Sequence, residues 1–350
     1  MTFFYGLSGW TLKKVSSGTL MKIGLGASVV FYSLLFLLRE KSVAFAVPLG
    51  ILGGFSGGNF WAGFNLNQYI LSHSGRRVSY FGWGGAIFNL ANAIGPVIGG
   101  AIITVVGSSH LGLMNGYMTL FFLVAMATAA AALVIGKLPD HETPHFSYRH
   151  IWEHKRTKMW KFVLGQNGLL GLYDVAIGTV TGILLYVVLK NEAELGFILT
   201  MASVFAMVAS LYAIPFLTKR PSAFWIGAIG SALSIMVFAL FQTSVGVWVF
   251  IAISGLTAPI LGNKLFTVYF DALDKAEGSW QQKYHLLLER DIVLGIFRTI
   301  SFICLFVFLQ FGNEIQLAKI WLLILPIMPL AIGFLIHACL NTKNSLYSSS

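Results

Sequence analysis

The sequence predicts an all-α polytopic membrane protein, and three observations predict it. Of its 350 residues 57% are hydrophobic and only 10% are charged, with a mean hydropathy of +0.78. A soluble domain carries about a quarter of its residues as Asp, Glu, Lys or Arg. Apolar runs of roughly 20 residues, the length that crosses a bilayer, recur along the whole chain. The Lys and Arg residues between those runs fall in alternate loops. Together these exclude a soluble enzyme, a disordered tail and a small secreted scaffold. Cys304 and Cys339 both lie in apolar stretches, so no disulfide framework is implied. The N-terminus lacks the basic start and small-residue cleavage site of a secretory signal.

Taken in order, the apolar runs cover 18–38, 43–71, 78–107, 112–136, 160–189, 194–217, 222–242, 245–270, 291–311 and 316–340. With a shorter run at 1–12 they make about 11 transmembrane helices. Residues 137–159 form the longest polar interruption, near the middle of the chain. In 271–290, Leu273, Ala276, Trp280, Tyr284 and Leu287 recur at spacings of three and four, which predicts an amphipathic helix on a membrane face. Residues 341–350 form a polar tail.

Basic loops stay cytoplasmic, so the side on which Lys and Arg collect fixes the orientation. With the loop after residue 12 inside, only Arg39, Lys41, Lys190 and Lys319 of the 23 basic residues fall outside. The net charge of +10 is thus a topology signal. Its expected partner is anionic lipid headgroup rather than nucleic acid. The expected location is a bacterial plasma membrane, with the C-terminus cytoplasmic.

Within 78–107 stand Gly82, Ala91, Gly95-Pro96 and Gly99-Gly100. Small residues at such spacings let helices approach closely, and proline bends a helix. This series resembles the glycine-proline signature of the fifth span in major facilitator superfamily antiporters, with Ala91 in place of one glycine. The resemblance implies two helical bundles of six spans joined by a long cytoplasmic loop. The divisions are then an N-terminal bundle 1–136, a linker 137–159, a C-terminal bundle 160–340 and a tail 341–350. Matched basic pairs, Lys13-Lys14 and Lys219-Arg220, stand at corresponding places in the two halves, as in the family's short cytoplasmic loops. Lys13 occupies a position where the family usually has Asp, and Gly53 to Gly58 lack the Arg common in proton-coupled antiporters. In this alignment residues 1–12 are the end of the second family span and the first is missing. The expectation is a truncated product or a start placed too far downstream, which the upstream DNA would decide.

An ionisable group inside the bilayer is costly and marks function. Asp174 is the one acid at the middle of a span, in 160–189. It is expected to couple protons or cations, or to neutralise a cationic substrate. Asn59 and Tyr173 are further substrate-contact candidates; Asn89 and Asn92 fit helix packing better. Arg298 and Lys264 lie toward the inner ends of their spans, and pairing with Glu289, Asp291 or Asp271 would make a cytoplasmic gate. Lys13, Lys14, Lys219 and Arg220 belong to the same inner surface.

His141-Glu142-Thr143-Pro144-His145 matches the H-E-x-x-H pattern of zinc proteases, with His150 and His154 following. Pro144 breaks the helix on which that chemistry depends, so no metal is assigned. No P-loop or dinucleotide-binding glycine pattern is present, and no cofactor is expected. The sequence thus predicts a secondary transporter of a small solute, not an enzyme, with proton-coupled efflux one candidate. The alternatives are a transport-incompetent remnant and a membrane metalloenzyme built on His141, Glu142 and His145.

Overall fold

The computed structural model describes residues 1–72, 74–108, 112–135, 138, 144, 147–190 and 192–347. Thirteen α-helices account for almost all of them: α1 Thr2–Leu12, α2 Ser17–Leu38, α3 Ala46–Leu71, α4 Arg77–Gly107, α5 Leu113–Ile135, α6 Tyr148–Glu153, α7 Lys158–Leu189, α8 Glu192–Lys219, α9 Phe224–Leu240, α10 Ser244–Asp274, α11 Trp280–Leu309, α12 Glu314–Ile324 and α13 Ile327–Tyr347. Among the described residues nine helical stretches are long and apolar enough to cross a membrane. The first, Ser17–Leu71, is 55 residues long and holds both α2 and α3, linked by a 3-10 turn at Arg39–Phe45. The ten full runs expected from the sequence are therefore all helical, and the protein is an integral, multi-pass membrane protein.

Local chemistry explains where the helices begin and break. Ser16, Thr157 and Thr243 each accept the backbone N–H of the third residue of α2, α7 and α10, which satisfies an otherwise orphaned donor at each start. The last apolar run is divided into α12 and α13 at Leu325-Pro326, because proline has no N–H to continue the ladder.

The expected amphipathic helix over 271–290 does not exist as a separate element. Residues 271–274 are the end of α10 and 280–290 the start of α11. Gly278, at φ +93°, supplies the turn between them. Leu273, Tyr284 and Leu287 are fully buried. Their three-and-four spacing marks protein packing on two long helices rather than a face laid on lipid.

The chain forms two compact units. One comprises Met1–His73, Ile98–His154 and Ala276–Ile292; the other comprises Ser74–Val97, Lys155–Lys275 and Val293–Ser350. In the first unit α2 packs on α3 and α5, and α1 on α3. Gly24 permits the α2–α3 approach, since a Cβ there would lie 2.6 Å from the Phe60 backbone nitrogen. In the second unit α10 packs on α8 and α9, and α13 on α7. Its core is apolar, with Val180, Leu184, Ile198, Ile235, Phe238 and Val247 among the buried side chains.

Candidate functional site

The site is built in the second unit, where α7 meets α11. Two glycines on α7 set the distance. A Cβ on Gly171 would fall 2.5 Å from the Leu294 carbonyl oxygen and 3.1 Å from the Arg298 nitrogen, and one on Gly168 would meet the Phe297 ring at 3.3 Å. Backbone therefore lies against backbone, an approach only glycine permits. One turn further, the Ser301 hydroxyl donates to the Leu172 carbonyl at 2.7 Å and pins the same crossing.

This crossing places Arg298 beside Asp174. Arg298 Nε donates to Asp174 Oδ2 at 2.9 Å, and Nη2 donates to the same oxygen. Both donors thus converge on one oxygen, and Asp174 Oδ1, buried, finds no hydrogen-bond partner among the described residues. The arrangement is one-sided rather than the parallel two-by-two fork of a saturated Arg–carboxylate pair. The side chains are 35% and 28% exposed, respectively. An ion pair open to that extent lies about four turns from either end of α7, a depth at which contact with hydrocarbon would be costly.

Tyr173, the neighbour of Asp174, packs against the apolar core of the unit. Asn59 lies in the other unit, nearly buried on α3, where its amide donates to the Phe55 carbonyl at 2.8 Å. It thereby satisfies its own helix.

The glycine-proline series on α4 divides into two parts. A Cβ on Gly82 would fall 2.3 Å from Ile214 Cγ1 and 2.9 Å from the Ser210 carbonyl oxygen, so α4 and α8 touch closely there. Asn89 donates to the Gly85 carbonyl at 2.8 Å and reaches the Ser210 hydroxyl at 3.5 Å. Gly95 and Gly100 meet nothing within 4 Å, and Gly99 meets only the Leu120 side chain at 3.7 Å. Helix α4 continues through Pro96.

The charged groups expected at one membrane face have partners of their own. Glu289 faces His154, whose Nε2 lies 3.2 Å from Oε2, and Asp291 takes Arg290 at 2.6 Å and the Tyr5 hydroxyl at 2.6 Å. Arg298 is committed to Asp174 instead of an inner gate. Lys14 lies over the Trp10 ring at 4.4 Å, Lys13 caps α1, Lys219 ends α8 and Arg220 precedes the next turn.

One ion pair was not readable as such from the sequence. Arg77, at the start of α4, donates to both oxygens of Asp274 and to Asp271 at 3.3 Å, at the end of α10. The available signal was the spacing of three between two acids in the last turn of a helix, which places both on one face. His141, Glu142 and His145 lie outside the described residues. Among the described residues no group of three or more His, Cys, Asp or Glu has the geometry to hold a metal ion.

No family model matches the chain. It is similar to the uncharacterized protein YqgE of Bacillus subtilis (strain 168), at 22% identity over 311 residues, covering 87% of this chain and 70% of the relative. It is also similar to an uncharacterized protein in the sodM 3' region of Geobacillus stearothermophilus, at 26% identity over 146 residues, covering 41% of this chain and 66% of that protein. Among solved structures it is similar to FucP, a major facilitator superfamily transporter in the outward conformation, with a TM-score of 0.68 and 15% identity over 97% of this chain and 88% of that one. The human organic anion transporter MFSD10 (TETRAN) follows at a TM-score of 0.65 and 14% identity, over 96% of this chain and 80% of that one. A bacterial homologue of the iron transporter ferroportin is similar at 0.64 and 14%, over 97% of this chain and 87% of that one.

Proposed function

The chain has the fold of the major facilitator superfamily, and from that premise we propose that it is a secondary active transporter of a small solute. It works by alternating access, two helical bundles rocking about a site near the middle of the membrane. The bundles are residues 1–136 and 160–340, joined by the linker 137–159. The observation that carries the proposal is the Asp174–Arg298 pair, about four turns from either end of α7 and only partly enclosed. Such a pair is expensive in a bilayer unless it has work to do.

Asp174 is the group assigned to coupling, with a proton as the coupling ion. A carboxylate held on one side only is suited to exchange its partner for a proton. The likeness of Gly82, Gly95, Pro96, Gly99 and Gly100 to the antiporter series supports export as the direction. Two structural neighbours are described as a fucose:proton symporter and a homologue of an iron transporter, and a third as an organic anion transporter. Substrates so unlike one another mean that the solute must be argued from this chain's own residues. The distribution of Lys and Arg supports a cytoplasmic C-terminus, with the basic ends resting on anionic lipid. The bacterial relatives support the plasma membrane of a bacterium as its location.

The test is proton flux in vesicles reconstituted with the full chain, loaded with a pH-sensitive dye and challenged with a panel of small solutes. Flux driven by a solute gradient, present in the wild type and lost in Asp174→Asn, is the expected result. Flux that persists undiminished in that variant removes Asp174 from coupling. A panel that moves no protons with any solute counts against proton coupling altogether.

A further inference from the structure

We infer that the Asp174–Arg298 site takes a small anion carrying a carboxylate or phosphate group, and that this anion replaces Asp174 on the guanidinium of Arg298. The inference rests on the transporter proposal above and names the class of its substrate.

Three observations carry it. The first is which pole of the pair is available. Asp174 Oδ1 is buried and unpartnered among the described residues, while Arg298 is the more exposed side chain of the two, at 35%. A ligand arriving from the open side therefore meets the cation first. The second is donor geometry. Arg298 spends Nε and Nη2 on one oxygen, although a guanidinium presents five N–H groups in a fork matched to two acceptor oxygens. A carboxylate or phosphate offering two oxygens makes fuller use of it than Asp174 does. The third is room. Gly178 follows Asp174 by one turn on the same face of α7, Gly182 follows by two, and a Cβ on either would meet nothing within 4 Å. A bulky side chain at those positions would close the space; glycine leaves it for the body of a ligand.

The charge balance then links the anion to the proton. With Asp174 ionised the pair is neutral and has no net attraction for an anion. With Asp174 protonated, Arg298 is left as an uncompensated cation in a site of low dielectric, which favours an anion strongly. The groups that face Asp174 are Arg298 from α11 and Tyr173 from its own helix. The helices packed on α7 carry Glu194 and Lys219 on α8, Lys264, Asp271 and Asp274 on α10, Glu314 and Lys319 on α12, and His337 on α13. Among the described residues the hydrogen bonds to the Asp174 carboxylate come from Arg298 alone. A cationic substrate would have to approach the pair past the guanidinium to reach a buried oxygen.

Equilibrium binding to the purified full chain in detergent tests the inference. Succinate and inorganic phosphate are the anion probes and tetraethylammonium is the cation probe. Asp174→Asn is expected to bind succinate or phosphate at least about tenfold more tightly than wild type at neutral pH, corresponding to about 1.4 kcal/mol. The probe that gains more tells a carboxylate from a phosphate ligand. Arg298→Gln is expected to bind neither. A second measurement on the unmutated protein guards against a variant that fails to fold. Binding of sulfate to the unmutated protein should be displaced by succinate and by phosphate, as expected of anions sharing one guanidinium. Tetraethylammonium binding that is lost in Asp174→Asn overturns the anion class, as does sulfate binding that is absent or that succinate and phosphate leave unchanged. Those outcomes leave the flux test of the transporter proposal standing, and anion binding without any flux would sink the transporter proposal instead.

Discussion

The guanidinium of Arg77 grips the carboxylate of Asp274 with both ends, Nη1 at 2.6 Å from one oxygen and Nη2 at 3.0 Å from the other. Asp271 accepts from the same nitrogen at 3.3 Å, and the Phe270 ring lies 5.4 Å beneath the cation. The start of α4 is thereby tied to the end of α10. Arg77 is only 2% exposed, while Asp271 and Asp274 are 25% and 35% exposed. A two-pronged pair with a buried cation is worth more than a surface pair, but the half-open acids are screened by solvent.

Arg77→Ala should therefore destabilise the protein by about 1–3 kcal/mol, since it also leaves two acids side by side. Thermal unfolding in detergent measures this. Arg77→Lys should recover only part of the loss, because an ammonium cannot bridge both oxygens of Asp274. Full recovery with Lys would mean that charge alone matters at this position and that the fork does not.

The two ends of the glycine series on α4 should respond oppositely to one added methyl. At Gly82 a Cβ meets the Ser210 carbonyl oxygen at 2.9 Å as well as the Ile214 side chain, and backbone cannot retreat as a side chain can. Gly82→Ala should cost about 1–3 kcal/mol through overpacking. At Gly95 there is nothing within 4 Å, so Gly95→Ala should be neutral or stabilise by up to about 1 kcal/mol through helix propensity. Equal melting shifts for the two variants would contradict this division of the series.

These contrasts also show what a sequence of this kind can convey. The ten apolar runs were legible because length and hydropathy decide them one segment at a time; nine became single helices and the last broke at Pro326. Asp174 was legible as a candidate for the same reason: a lone acid in an apolar run needs no partner to be noticed. Its partner was not legible. Arg298 is 124 positions away, and the candidates nearest to it in sequence were Glu289 and Asp291. Which of these an arginine meets depends on how deep two helices interlock, and that is set by Gly171 against Leu294. The apolar spacing over 271–290 was read correctly as helical but misassigned to a membrane face, because buried and lipid-facing stripes share one periodicity. Gly278 was the residue that could have marked the break.

In the other unit, Asp291 gathers the Tyr5 hydroxyl at 2.6 Å, Arg290 at 2.6 Å and the Asn65 amide at 3.4 Å, and both charged residues are nearly buried. Tyr5→Phe removes one hydrogen bond to a charged acceptor and should cost about 1.5–3 kcal/mol. Asp291→Ala removes the shared acceptor of three donors and should cost more, about 3–5 kcal/mol. A melting series of the two variants checks the order. If Tyr5→Phe proved the more damaging, the carboxylate would not be the centre of this network.

The last prediction concerns the glycine that sets the candidate site, and it separates position from charge. Gly171 has no functional group, yet a Cβ there would lie 2.5 Å from the Leu294 carbonyl oxygen and 3.0 Å from Phe297 Cβ. Gly171→Ala must therefore push α7 and α11 apart or slide one along the other. Either movement carries Arg298 away from Asp174 while leaving both charges present. A displacement of about 1 Å is enough to impair a positioned site by roughly a hundredfold. Solute-driven proton flux in vesicles should accordingly fall by one to two orders of magnitude in Gly171→Ala. Gly262→Ala, on α10 and likewise with nothing within 4 Å, serves as the control. It adds a methyl to open space and should lower flux by no more than a few-fold. Binding of sulfate gives the second readout, since a loosened pair frees Arg298 and should make the anion bind more tightly. A Gly171→Ala protein that folds, transports and binds sulfate like the wild type would show that the close crossing is packing alone.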